Sequence, residues 1–355
     1  MKTHSQSDSL TRQFLRIVGS PFVSNTKENF GSEQIDFRNI SKLYYYASKN
    51  RMRLLYLEAL NRLNKLDFLK DEYDKLILQY AKTNEVINRA SIVLNKSGVP
   101  YALFKSVRPY EEVTVDIDVL VFGLISDYKK VIRILYREGY VFLGDGPLST
   151  TFRDSQAGIS LDIYYEVGVS HIIYMNKNNL KAAIDTRNVT ENQFVLSLSP
   201  EADLLAVIAH SVVKEHMYVL SEYFTTLYYL VNMNEDSLKS FLTLVDKCKL
   251  RLAVKTHLGI TALLHYKAHG LLPDSLARLL KMLDVNSLEL SRIEKMGFEI
   301  PYKYHPITIV NVLFEKFREK KALRSLATQL FSLLNLSFTS SFIKDVLQHI
   351  TRKAY

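Results

Sequence analysis

The sequence contains a single cysteine, Cys248, among 355 residues, so no disulfide can form within the chain. This scarcity is typical of proteins from a reducing compartment, and Cys248 is most simply a small core residue. No run of 18 apolar residues occurs, and residues 1–8 lack the apolar stretch of a signal peptide. We therefore expect a cytoplasmic protein with no membrane partner.

Two common phosphate-binding loops are also missing. Neither G-x-x-x-x-G-K nor G-x-G-x-x-G occurs in the chain, so the glycines of residues 144–147 indicate a turn between strands and not a phosphate loop. No fixed period of 20 to 50 residues appears, which argues against a solenoid. The apolar fraction of 47% and the charged fraction of 23% are ordinary for a soluble globular protein, and the length predicts two or three domains.

The most informative segment is an apolar strand that carries two aspartates, Val113-Thr-Val-Asp-Ile-Asp-Val-Leu-Val121. Because side chains alternate along a strand, Asp116 and Asp118 project from one face with Cα atoms about 6.6 Å apart. Two carboxylates at that spacing repel each other, and a divalent cation such as Mg²⁺ is the natural compensation. The alternative is a solvated edge strand with two ordinary acids.

Two neighbouring segments favour the metal interpretation. Upstream, a short buried strand, Val99 to Phe104, ends in Lys105 and Ser106. Downstream, residues 158–165 form another alternating strand, in which Asp162 lies between two apolar neighbours. A strand end with a small residue, an Asp-apolar-Asp strand and a lone carboxylate on a later strand together form a pattern that is recognisable in sequence.

This pattern resembles the polymerase-β-like nucleotidyltransferase superfamily. The chain is most similar to an uncharacterised nucleotidyltransferase group with a Leu-Lys-Gly motif ahead of Asp-Ile-Asp-Leu-Leu-Val, and the similarity extends from about residue 40 to about residue 240. Phe104-Lys-Ser106 stands where the group has Leu-Lys-Gly, so Ser106 replaces a glycine. Thr114 and Val115 stand where an arginine usually precedes the aspartates.

The resemblance implies a role for each candidate residue. Asp116, Asp118 and Asp162 would be the catalytic carboxylates and would hold two Mg²⁺ (or Mn²⁺) ions around an NTP. Lys105 and Ser106 would position its phosphates. Further along, His210 and Lys214 would border the nucleotide, although a polar surface is an equally good interpretation of these last two.

The order of predicted elements indicates an α+β fold. We expect a flexible polar arm over residues 1–35, a helical segment over 36–98, a nucleotidyltransferase core with a small mixed sheet over 99–198, and a larger all-helical region over 199–355. The sequence Ser-Pro-Glu at 199–201 is a strong helix start, with a cap, a proline and an acid in the first turn.

Positive charge is concentrated in the last third. Residues 247–355 contain 18 Lys and Arg against 8 Asp and Glu, a net charge of +10, although the whole chain carries only +9. Such asymmetry favours a polyanionic partner, and RNA, for instance a tRNA end, is the expected acceptor of the NMP. The alternative is a solvated helical surface.

Other functions remain open at this stage. The acceptor could be a protein or a small molecule, and a binding protein that has lost turnover is favoured by Ser106 in place of glycine. A glycosyltransferase can also use an Asp-x-Asp metal motif, but the helical residues 41–97 argue against one. His265 and His269 stand at the i, i+4 spacing of zinc ligands, yet no third ligand is evident.

Overall fold

The structure is a computed structural model. It describes residues 2–23, 39–190, 193–284 and 300–334, together with the single positions 294 and 339. Within these residues no helix is long and apolar enough to cross a membrane.

The N-terminal segment is helical. Its helices are α1 (Lys2–Val18), α2 (Ile40–Lys49), α3 (Arg53–Arg62) and α4 (Lys70–Lys96), with a 3₁₀ turn at Asp67–Leu69. Helices α2 to α4 confirm the helical pattern predicted between residues 41 and 97.

The expected flexible arm is wrong for the residues that the structure describes in it. Residues 2–18 form α1, which contacts α3 and α10 (Arg251–His269). Phe14 and Leu15 are 0% and 1% exposed, and the ring of Phe14 stacks on Tyr56 with centroids 5.4 Å apart. Apolar residues at helical spacing are enough to dock α1 despite its polar composition. Residues 24–35 of the predicted arm lie outside the described residues.

A seven-stranded mixed sheet forms the centre of the molecule. Its strands are β1 (Tyr101–Leu103), β2 (Asp116–Val121), β3 (Val141–Asp145), β4 (Ser149–Arg153), β5 (Ser160–Tyr164), β8 (Ile184–Thr190) and β9 (Gln193–Leu198). Their order in the sheet is β3-β4-β5-β2-β1-β9-β8. Strands β2 and β5 are parallel, as are β1 and β9, and the remaining neighbours are antiparallel.

Three smaller elements and a crossover helix complete this core. They are α5 (Ile125–Arg137), which joins β2 to β3, the hairpin of β6 (Val167–Val169) and β7 (Ile172–Met175), and the short helix α6 (Lys177–Leu180).

Strand β2 separates two apolar clusters. Ile117, Val119 and Val121 are fully buried in a cluster with residues of α4 and α5. Leu120 belongs to the other cluster, which includes the helical C-terminal region, so Asp116 and Asp118 face that region. The strand begins at Asp116 and not at Val113 as the pattern suggested.

The described part of the C-terminal region, residues 199–284 and 300–334, is almost entirely helical. Its helices are α7 (Pro200–Ala209), α8 (Leu220–Asn232), α9 (Glu235–Cys248), α10 (Arg251–His269), α11 (Asp274–Met282), α12 (Pro306–Lys316) and α13 (Lys320–Ser332), and a π-helical turn (His210–Lys214) follows α7. The predicted helix start is confirmed, since Ser199 is the N-cap of α7 and Pro200 its first residue.

The α+β fold class is confirmed, with a mixed sheet between helical segments. One small departure is a two-stranded sheet inside the helical region, in which β10 (Met217–Tyr218) pairs with β11 (Tyr302–Lys303). Cys248 is buried at the end of α9, as expected for a core residue.

Candidate metal centre

Three aspartates meet on two neighbouring parallel strands. Asp116 and Asp118 lie on β2, Asp162 lies on β5, and Asp118 is directly opposite Asp162 in the register. One carboxylate oxygen from each residue lies within 4.8 Å of the other two. The predicted placement of Asp162 on the same side of the sheet is therefore confirmed. It is the single group of metal-ligating side chains found among the described residues.

Asp116 and Asp162 are held in an environment that disfavours their charged forms. Burial, together with the charges of Asp118 and Asp162, raises the pKa of Asp116 from 3.8 to about 6. Burial likewise raises the pKa of Asp162, and a hydrogen bond that its Oδ1 accepts from the Thr151 hydroxyl at 2.6 Å opposes that rise. Clustered carboxylate oxygens are the donor set that Mg²⁺ and Mn²⁺ prefer. The residues present therefore fit a divalent cation.

Lys105 provides a cation inside the centre. Its Nζ lies 3.1 Å from Oδ2 of Asp118, and the two side chains are only 9% and 7% exposed. The same ammonium lies over the ring of Phe104, 4.8 Å from its centroid, and 5.9 Å from that of Tyr164. Because the aliphatic stem and aromatic rings exclude water, this ion pair is stronger than a pair on the surface.

Ser106 links the end of β1 to the aspartate strand. Its hydroxyl accepts a hydrogen bond from the backbone N–H of Asp118 at 2.7 Å and donates one to the carbonyl of Phe104 at 3.1 Å. The left-handed backbone conformation of this turn falls on Lys105, with a φ of 62°, and Ser106 is not among the described residues with positive φ. Serine is therefore accommodated at position 106 without backbone strain.

Lys214 lies near the carboxylates, and His210 lies close to Lys105 and Lys214 and 3.5 Å from Glu215. The Lys214 Nζ is 3.4 Å from the Tyr164 hydroxyl, and its charge lowers the pKa of both Asp116 and Asp162. Burial and the nearby charges of Lys105 and Lys214 hold the pKa of His210 well below its usual value. His210 is thus neutral near pH 7 and adds no positive charge. The two residues are the first and last of the π-helical turn that follows α7.

Sequence reasoning did not identify three further residues around the centre. Thr151 is opposite Asp162 on β4, and nothing in its sequence context marks that pairing. Asp203 accepts a hydrogen bond from the Lys105 amide, and Arg187 donates one to the Val107 carbonyl. Asp203 could be recognised only as an acid in the first turn of α7.

The two histidines at zinc spacing are structural. The His265 Nε2 lies 2.9 Å from the Ser20 hydroxyl, and its Nδ1 lies 2.9 Å from the Leu271 carbonyl. Both ring nitrogens are thereby satisfied, and His265 is fully buried. Burial also lowers the pKa of His269 to about 4. His265 therefore docks residue 20 and the segment after α10, and no group of three metal-ligating side chains among the described residues includes the two histidines.

Some of the positive charge in residues 247–355 is buried or paired within the fold. Lys316 is 0% exposed, donates to the Cys248 carbonyl at 2.7 Å and pairs with Glu319. Lys321 pairs with the buried Glu166 at 2.5 Å. Of the four basic residues at positions 316–321, only Arg318 and Lys320 are exposed. The net charge of this region therefore overstates the positive surface that it presents.

Comparison with known proteins gives little further support. No protein-family model matches the sequence, and no curated protein matches it. One solved structure, described as a STING-associated CdnE c-di-GMP synthase from Capnocytophaga granulosa, is similar at 14% identity, covering 82% of this chain and 99% of that one. The TM-score is 0.24, a value too low for this likeness to assign a function.

Proposed function

We propose that the protein is a metal-dependent nucleotidyltransferase, which moves an NMP from an NTP to a hydroxyl acceptor and releases pyrophosphate. The observation that supports this proposal is the meeting of Asp116, Asp118 and Asp162 within 4.8 Å on adjacent parallel strands. The resemblance of the surrounding motifs to the polymerase-β-like superfamily gives this carboxylate centre its reaction type.

The proposed reaction is a displacement at the α-phosphorus. The acceptor oxygen forms a bond to that phosphorus, the bond to the bridging oxygen of the β-phosphate breaks, and the acceptor proton is lost. Divalent cations held by the three aspartates would supply charge neutralisation at the triphosphate and the attacking oxygen. Asp162, whose pKa is raised by burial, lies where it can help to accept the acceptor proton.

Lys105 and Ser106 would position the triphosphate. The Lys105 ammonium pairs with Asp118 and so lies within the carboxylate centre. A phosphate that enters this centre meets one lysine from the β1–β2 turn and a second, Lys214, from the π-helical turn. Most of the rate enhancement would then come from alignment and from charge neutralisation, with little covalent work by the protein.

The decisive experiment uses each α-labelled NTP with Mg²⁺ or Mn²⁺ and either total RNA or lysate protein. We expect label transfer with pyrophosphate release, and we expect Asp116→Asn and Asp118→Asn each to abolish it. Asp246→Asn is the matched control, because Asp246 forms an exposed ion pair with Arg251 far along the chain. Full activity in both triad variants would refute the mechanism.

We propose RNA as the acceptor on the ground of charge. Residues 247–355 carry a net +10, and Arg318 and Lys320 are exposed on the surface near the start of α13. Binding through phosphate contacts falls steeply with salt, with a slope of roughly −0.7 per contact on a single strand. A label that appears on protein or on a small molecule, with RNA unlabelled, would favour those acceptors instead.

The acceptor test has its own matched pair of variants. Reversing Arg318 and Lys320 to Glu should weaken RNA binding without changing metal affinity. Reversing Lys129 and Lys130 on α5, which are equally exposed, makes the same change in net charge outside the basic third. RNA affinity that is insensitive to salt, or that falls equally in both double variants, would exclude this surface as the RNA site.

A further inference from the structure

The turn between β1 and β2 has an unusual backbone. Residues 105–107 connect the buried end of β1 to the segment that leads into the aspartate strand. Lys105 has a φ of 62°, in the left-handed region that residues with a Cβ seldom adopt. Such a conformation persists where surrounding contacts over-determine it. The contacts that do so here come from distant parts of the chain.

Asp203 holds the first residue of the turn. This aspartate, in the first turn of α7, is 3% exposed. Its Oδ1 accepts the backbone N–H of Lys105 at 2.6 Å, and its Oδ2 accepts the hydroxyl of Tyr229 at 2.5 Å. Hydrogen bonds to an ionised carboxylate are roughly twice as strong as neutral ones. The carboxylate therefore fixes the amide of the residue that bears the left-handed conformation.

Arg187 holds the last residue of the turn. It lies on β8, and its guanidinium donates to the Val107 carbonyl at 2.7 Å and to the Leu198 carbonyl at 3.2 Å. The same guanidinium lies 3.4 Å from Oδ2 of Asp203 and donates to the Tyr229 hydroxyl at 2.6 Å. Asp203, Arg187 and Tyr229, here called the turn clamp, thus join the two ends of the turn through one ion pair.

We propose that the turn clamp positions Lys105 and Ser106 for the triphosphate, an inference that rests on the proposed function. Between the two anchored ends, Ser106 binds the Asp118 amide and Lys105 reaches the Asp118 carboxylate. The carboxylates themselves are aligned by the β2–β5 register, in which no clamp residue takes part. The clamp residues are therefore positioning residues for nucleotide binding and do not align the metal ligands.

Asp203→Asn tests this separation, because it keeps the shape of the side chain and removes its charge. We expect NTP affinity, measured by calorimetry with Mg²⁺, to fall about tenfold, as for loss of a charge-assisted hydrogen bond. Mn²⁺ affinity of the nucleotide-free protein, followed by electron paramagnetic resonance, should not fall, because the aspartates keep their register and a displaced Lys105 competes less with the cation. Turnover should show a raised KM for the NTP.

The chain offers a matched control at another turn. Asp154 is 4% exposed, pairs with Arg89 at 3.0 Å, and accepts the amides of Gln156 and Ala157 beside the end of β4. Asp154→Asn therefore removes a similar buried clamp away from the carboxylate centre. It should lower the melting temperature to a similar degree while leaving NTP affinity unchanged, which separates positioning from a general loss of stability.

A readout that does not require nucleotide completes the test. In Asp203→Asn, hydrogen exchange should become faster in the peptide around Lys105, and it should stay unchanged there in Asp154→Asn. Tyr229→Phe removes only one hydroxyl and should give a smaller increase in hydrogen exchange around Lys105. This variant therefore tests the turn clamp if Asp203→Asn does not fold.

Each outcome has a definite meaning. Unchanged exchange at Lys105 together with unchanged NTP affinity would overturn the clamp. Equal losses of NTP and Mn²⁺ affinity would also overturn it, since they would assign Asp203 a general structural role. If the wild type binds no nucleotide, the proposed function fails, and exchange at Lys105 still shows whether the clamp holds the turn.

Discussion

Replacing Asp116 by asparagine should stabilise the metal-free protein, and the effect should depend on pH. The pKa of Asp116 is raised from 3.8 to about 6, first by burial and then by the charge of Asp118. At neutral pH the folded protein therefore holds an ionised carboxylate that it disfavours. The asparagine side chain would keep the size of the aspartate and remove its charge.

The size of this stabilisation follows from the pKa shift of Asp116. Each pKa unit corresponds to about 1.4 kcal/mol, so a shift of about two units corresponds to at most about 3 kcal/mol. Asp116 is only partly buried, and screening by solvent reduces this to about 1–2 kcal/mol. We expect Asp116→Asn to raise the free energy of unfolding by that amount at pH 7.5 in EDTA.

The stabilisation by Asp116→Asn should increase as the pH rises. Because the folded pKa lies above the unfolded value, protonated Asp116 favours folding below pH 3.8, and this contribution is lost as the pH rises through about 6. The advantage of the asparagine variant should therefore be absent near pH 3.8, grow between pH 4 and 6, and be constant above that. Urea unfolding at several pH values measures it.

Asp118→Asn is the informative contrast on the same face. Asp118 pairs with Lys105 at 3.1 Å, so its loss leaves a buried ammonium without its partner. We expect that variant to be less stable than wild type in EDTA, the opposite of Asp116→Asn. If both substitutions change stability equally, or if the gain at Asp116 is the same at pH 4 and pH 7.5, the electrostatic account of the centre is wrong.

Three further predictions concern the same centre and its surroundings. Lys105→Met should tighten Mn²⁺ binding to the nucleotide-free protein by about tenfold, because the ammonium at Asp118 no longer competes with the cation. Calorimetry measures this Mn²⁺ affinity, and unchanged or weaker binding would show that Lys105 does not compete with the metal. Thr151→Val removes the 2.6 Å hydrogen bond to Asp162 and should raise the pKa of Asp162 further. In a series of Mn²⁺ affinity measurements at different pH, the pH at which half of the binding is lost should then be higher than in the wild type. An unchanged midpoint would contradict this role of Thr151. Lys321→Glu should lower the melting temperature, because it places a second acid beside the buried Glu166. Lys320→Glu at the neighbouring exposed position should leave the melting temperature unchanged. Equal melting temperatures in the two variants would show that the Lys321–Glu166 pair does not stabilise the fold.

The carboxylate centre could be predicted from local sequence. Alternation along β2 places Asp116 and Asp118 on one face, and an isolated aspartate on a later strand identifies Asp162. The helix start at Ser199 and Pro200 is likewise a local signal, since a cap and a proline act on their own backbone. These features depend on neighbours within a few residues, which is why they could be predicted.

Which charges remain available depends on tertiary packing. The cluster at residues 316–321 contains four Lys or Arg residues and one Glu, yet Lys316 is buried against the Cys248 carbonyl and Lys321 pairs with Glu166, 155 residues away. The same holds for α1, whose polar composition conceals an apolar face that docks against α3 and α10. Composition cannot report such partners, because burial and pairing depend on which elements pack together.

The turn that carries Lys105 and Ser106 shows the same division. The sequence identified both residues from their place at the end of β1. Only the fold brings Asp203, 98 residues later, to the amide of Lys105, and Arg187, 80 residues later, to the carbonyl of Val107. A left-handed lysine is disfavoured by its own backbone, so its conformation is set by contacts that the chain makes only once the sheet and the helical region have packed together.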